Sequence, residues 1–92
     1  MESLEATGIR NYLREKRLKT LKNLMTLNGR YNLFLNELRE QRGEIAEQRK
    51  KGAIDLREFW DMRMNLEDRI QDIERKRDEV VKQIVSIFPK TR

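Results

Sequence analysis

The sequence predicts an all-α fold: an antiparallel helical hairpin of coiled-coil type that dimerises into a four-helix bundle. Three observations carry this expectation. The chain is 40% charged and 37% hydrophobic, with four Gly and one Pro, the composition of long helices with few breakers. Two separate stretches place apolar residues at seven-residue intervals, the mark of helices that pack along a seam. Between them Gly52 lies in a short polar link. A chain of 92 residues accommodates one domain. So polar a chain could also be disordered, but disorder gives no reason for sustained apolar periodicity.

The second helix has the cleaner pattern. Phe59, Leu66, Ile73, Val80 and Ile87 form one column, and Leu56, Ile70 and Ile84 a second one three residues earlier. These are the d and a positions of a heptad seam. Asp55 is a suitable N-cap, with Glu58 placed to complete a capping box and Ile54 and Phe59 to form a hydrophobic staple. Pro89 stops the helix, because the residue before proline avoids helical angles. The helix is expected at about 56–88, followed by a short tail, 89–92.

The first helix is expected at about 9–50. Leu24, Tyr31, Leu38 and Ile45 form its d column, and Leu21 and Leu35 supply the a column. Leu27 and Phe34 widen the stripe on one side. Asn28-Gly29 is a turn signal, yet the columns run through it in phase. A continuous helix is therefore expected, with a break into two helices as the alternative.

Arg49, Lys50 and Lys51 suit the negative end of the first helix dipole, and Gly52 follows as a left-handed cap. A link over 51–55 is short enough to make the helices antiparallel neighbours. Folding about it sets Ile45 near Phe59, Leu38 near Leu66, Tyr31 near Ile73, Leu24 near Val80 and Leu21 near Ile84. The second helix then runs out near Arg17, and the stretch from Ile9 to about Leu18 projects beyond it. At the seam, Asn28, Arg42, Arg63 and Arg77 are polar. The arginines are expected at the seam edge with their charges in solvent; Asn28 is a candidate for fixing register or oligomeric state.

A lone hairpin buries one seam. Trp60, Val81, Val85 and Phe88 flank it, the last three beside Val80, Ile84 and Ile87, and need a second surface. Leu24, Leu27, Tyr31, Phe34, Leu38, Ile45, Phe59, Trp60, Leu66, Ile73, Val80, Val81, Ile84, Ile87 and Phe88 are therefore the candidate self-association residues of a homodimer. The alternative is a monomer whose C-terminal helix packs on residues 1–20 through Leu4, Ile9, Leu13 and Leu18.

The positive charge is concentrated. Residues 9–30 carry seven basic residues and one acidic one, which accounts for the net charge of +5. Arg10, Arg14, Lys16, Arg17, Lys19 and Lys22 are the candidates for binding an anionic partner. Arg10, Arg14 and Arg17 share a helical face that could track phosphates or meet an acidic protein. The sequence has no zinc finger, no RNA-binding strand motif and no aromatic platform, so any nucleic-acid binding is expected to be sequence-tolerant and salt-dependent. Ile9, Tyr12, Leu13 and Leu18 offer only a partial apolar face, which ranks a lipid surface lower.

Cysteine and histidine are both absent, which removes thiolate chemistry, the usual general base and the commonest transition-metal ligand. The N-terminus is acidic where a secretion signal would be basic, and no long apolar run follows. A soluble intracellular protein is expected, of cytoplasm or nucleus. Carboxylates are the remaining route to catalysis. Glu37-x-x-Glu40 and, after 17 residues, Glu58-x-x-Asp61 resemble the metal-binding carboxylates of all-helical nucleotide pyrophosphatases of the MazG type. That resemblance spans about 25 residues and implies a magnesium site. In the expected register, however, all four residues fall on outer helix faces. The turn Gly52-Ala53-Ile54-Asp55-Leu56-Arg57-Glu58-Phe59 also resembles that of short helical C-terminal modules of bacterial proteins, although a glycine stop followed by a cap explains it alone.

The expectation is thus a non-catalytic interaction or assembly protein with no cofactor, no metal and no small-molecule substrate. It self-associates and meets another protein or nucleic acid. A sequence-tolerant nucleic-acid binder is the alternative, and a magnesium-dependent pyrophosphatase a remote one.

Overall fold

The computed structural model describes the backbone over residues 4–88 and side chains over 7–88. It contains two helices, α1 (Leu4–Lys50) and α2 (Leu56–Ile87), which pack against each other as an antiparallel hairpin. Pro89 and the tail 89–92 lie outside the described residues. The radius of gyration is 21.6 Å and the extents are 76 × 21 × 19 Å. A compact domain of this length would have a radius of about 12 Å, so the molecule is a rod.

α1 starts earlier than the sequence suggested, at Leu4 instead of near Ile9. Leu4, Glu5 and Ala6 are strong helix formers and carry the helix across Gly8. α1 also passes through Gly29 without a break, and Gly52 is the only described residue with positive φ. An Asn-Gly turn needs positive φ, and the seam residues Leu24 and Tyr31 on either side hold Gly29 helical.

The turn follows its chemistry closely. Ala53 N donates to Gln48 O at 2.9 Å and Gly52 N to Arg49 O at 3.1 Å, with Gly52 at φ 74°. This is a Schellman stop, which satisfies two orphan carbonyls of α1. Asp55 then caps α2: its carboxylate accepts from Glu58 N at 2.8 Å. Only this half of the capping box forms among the described residues. The Glu58 carboxyl lies beside Asp55, whose negative charge raises its pKa above the ordinary value. At the far end Phe88 is extended (φ −68°, ψ 133°), as the residue before a proline must be.

The core is small. Leu35, Leu38, Ile45, Leu66 and Ile70 are buried together, with Ile54, Phe59 and Ile73 packed on them, and Val80 is buried further along α2. Side-chain pairs across the hairpin show its register. Arg42 Nη1 donates to Glu67 Oε1 at 3.0 Å and Arg39 Nη2 to Glu74 Oε1 at 3.5 Å. The seam arginines are thus more engaged than expected. Arg42 is held across the hairpin, Arg63 lies 6.0 Å from the Phe59 ring centre, and Arg77 reaches Asp78 at 3.4 Å with its side chain only 29% exposed. Their aliphatic stems cover the seam and their heads find partners at its rim.

Candidate interaction surface at the open end

The surface arises from a difference in length. α1 has 47 residues and α2 has 32. α2 runs out beside Arg17: one cavity of about 240 Å³ is lined by Leu13, Lys16, Arg17, Thr20 and Ile87, and another of about 200 Å³ by Arg14, Arg17, Leu18, Leu21, Ile87 and Phe88. N-terminal to Leu13, α1 has no opposing helix among the described residues.

The six basic candidates, Arg10, Arg14, Lys16, Arg17, Lys19 and Lys22, are all exposed, but they do not form one cluster. Counting heptads back from Leu21 puts Arg10, Arg14 and Arg17 at d, a and d. They occupy the two columns that, further along, hold Leu21, Leu24, Leu35 and Leu38. The seam of α1 changes from apolar to cationic where α2 stops. Lys16, Lys19 and Lys22 fall at c, f and b, on the outer face; the Lys16 ammonium lies 5.6 Å from the Tyr12 ring centre. Arg14 and Arg17 make no ion pair among the described residues.

The self-association candidates divide by burial. Leu38, Ile45, Leu66 and Val80 are buried within the hairpin and are not available to a second copy while it is closed. Leu24, Leu27, Tyr31, Phe59, Ile73, Ile84 and Ile87 are half-buried along the seam edges. Phe34, Trp60, Val81 and Phe88 are exposed. Trp60 stands edge-on to Phe59 with centroids 5.4 Å apart, near the turn. Phe34 lines a groove with Glu37, Leu38, Gln41, Arg69 and Ile73.

At the open end the exposed apolar residues gather on one flank. Leu18, Met25, Val81 and Phe88 share the e position, which in an antiparallel pair falls on one side of the seam, and Val85 lies beside them on α2. Val85 is 65% and Met25 56% exposed. Met25 lies outside the a and d columns, and its signal in the sequence is that it stands one heptad beyond Leu18. Ile9, Leu13 and Leu18 are exposed as well. They are carried on α1 itself, where Leu13 and Leu18 come beside Ile87 at the end of α2. The Leu4 side chain lies outside the described residues.

The pyrophosphatase-like carboxylates Glu37, Glu40, Glu58 and Asp61 are not drawn together. Among the described residues no three acidic side chains are grouped to hold a metal ion. No described helix is long and apolar enough to cross a membrane. No protein-family model matches the chain, nor does any curated protein or solved structure.

Proposed function

We propose that this chain is a non-catalytic helical assembly protein, which self-associates through the apolar flank at its open end and presents the basic segment of α1 to an anionic partner. One observation carries the reading: Leu18, Met25, Val81, Val85 and Phe88 are exposed together at the end where Arg14 and Arg17 stand. A contiguous apolar patch rimmed by charge is the ordinary signature of a macromolecular contact. The accessible surface supports it. At 8112 Å² it exceeds the roughly 5,700 Å² of a compact monomer of this mass. A standard interface removes only about 800 Å² per partner, so a side-by-side pair of hairpins fits within the excess.

Light scattering at micromolar concentration tests the dimer. The mass should be about twice the chain's 11.2 kDa, and Val81→Glu should bring it to one chain without melting the helices. A wild-type chain that scatters as a folded monomer would remove the four-helix bundle from consideration.

A second reading, sequence-tolerant nucleic-acid binding, is favoured by the exposed Arg10, Arg14, Lys16, Arg17, Lys19 and Lys22 of the N-terminal part of α1. A labelled duplex should then bind with an affinity that falls steeply with salt, since each phosphate contact releases counterions. Absence of binding at low salt eliminates it.

A further inference from the structure

We infer that the open end is a docking groove for an acidic amphipathic α-helix, which lies in line with α2 on the stretch of α1 seam that α2 leaves uncovered. This rests on the reading of the basic segment as a surface for an anionic partner and specifies the partner's chemistry.

Continuity of the seam is the first argument. α1 is one uninterrupted helix from Leu4 to Lys50, so its a and d columns keep their phase past the end of α2. A helix continuing the path of α2 past Arg17 would meet Arg14 next on the seam. Its own seam must therefore carry carboxylates.

The floor of the groove is the second. Leu18, Leu21, Ile87 and Phe88 line the same cavity as Arg14 and Arg17. Leu18 is 57% and Phe88 53% exposed. A phosphate backbone has no use for four apolar side chains lining the same cavity as two arginines. A helix with leucines flanking an acidic stripe would bury the first and pair with the second.

The hairpin itself supplies the third. Arg42 occupies an a position of the covered seam, and the opposing helix answers it with Glu67 at 3.0 Å. Arg39, on the flank, is answered by Glu74 at 3.5 Å. Arg14 holds the same heptad position as Arg42, four heptads earlier, without such an answer among the described residues.

The test uses the full chain and a fluorescein-labelled synthetic helix of about three heptads, with Glu at a and d and Leu at e and g. A matched helix carries Lys in place of each Glu. A labelled DNA duplex and vesicles of anionic lipid complete the series. Anisotropy should report binding of the Glu helix and not of the Lys helix. The double variant Arg14→Ala/Arg17→Ala should weaken it at least about tenfold, roughly one decade for two lost charge pairs. Leu13→Gln, at an exposed residue beside Arg17 and Ile87 and outside the self-association flank, should weaken it too, which a purely electrostatic contact would not. Both substitutions are on exposed side chains, and an unchanged melting curve verifies the fold. Equal binding of the two helices overturns the inference. Binding of the duplex or vesicles but not the Glu helix also overturns it, while leaving the anionic-partner reading intact. If no anionic probe binds, both fall.

Discussion

Arg42 Nη1 stands 3.0 Å from Glu67 Oε1, a guanidinium at a seam position held by a carboxylate on the opposite helix. Both side chains keep more than a third of their surface in water (39% and 34%). Such a pair contributes about 0–1 kcal/mol. Glu67→Gln should therefore cost no more than that in urea unfolding. Arg42→Leu should raise the midpoint, because it extends the apolar column between Leu35 and Leu38 on one side and Ile45 on the other. A large loss in Arg42→Leu would show that the ion pair, and not the apolar seam, sets the register.

Asn28 offers a sharper case. Its side-chain oxygen is buried without a hydrogen-bond partner among the described residues. A buried acceptor left unpaired costs about 1–3 kcal/mol. Asn28→Leu should recover part of this as a higher midpoint. If Asn28 also polices the mode of association, the variant will scatter light as a mixture of species where the wild type shows one. A lower midpoint would mean that the oxygen finds a partner in solution.

The glycines divide by conformation. A methyl group at Gly29 or Gly43 would meet nothing within 4 Å, and both lie inside α1 with ordinary helical φ. Ala at either should stabilise by about 0.5–1 kcal/mol, which raises Tm by about 4–8 °C per kcal/mol in a chain of this size. Gly52→Ala should do the opposite, since φ 74° disfavours any Cβ by about 1–2 kcal/mol. Three equal shifts would contradict the left-handed stop.

At the start of α2 the two carboxylates have different tasks. Asp55 accepts from Glu58 N, and Asp55→Ala should cost about 0.5–2 kcal/mol. Glu58 has a raised pKa because Asp55 is beside it. A carboxyl whose folded pKa exceeds its unfolded one contributes stability at low pH and loses it as pH rises through the folded value. The Tm of the wild type should therefore fall relative to Glu58→Gln as pH is raised through the carboxylate range. Parallel Tm curves would show that Asp55 does not act on Glu58.

The sequence alone determined the two helices, the stop at Gly52, the cap at Asp55 and the antiparallel fold. Heptad columns and turn residues are local signals, repeated often enough to be read without knowing any contact. It also located the basic segment and the point, near Arg17, where α2 ends, because residue charge settles the first and a single turn followed by Pro89 the second. Tertiary structure decided what local pattern could not. It separated the apolar columns into residues consumed by the intrachain seam, such as Leu38 and Leu66, and residues left exposed, such as Val85 and Met25. It gave Arg42 a partner across the hairpin. Burial and pairing depend on which helix lies opposite each face, and a periodic sequence states the face but not its neighbour.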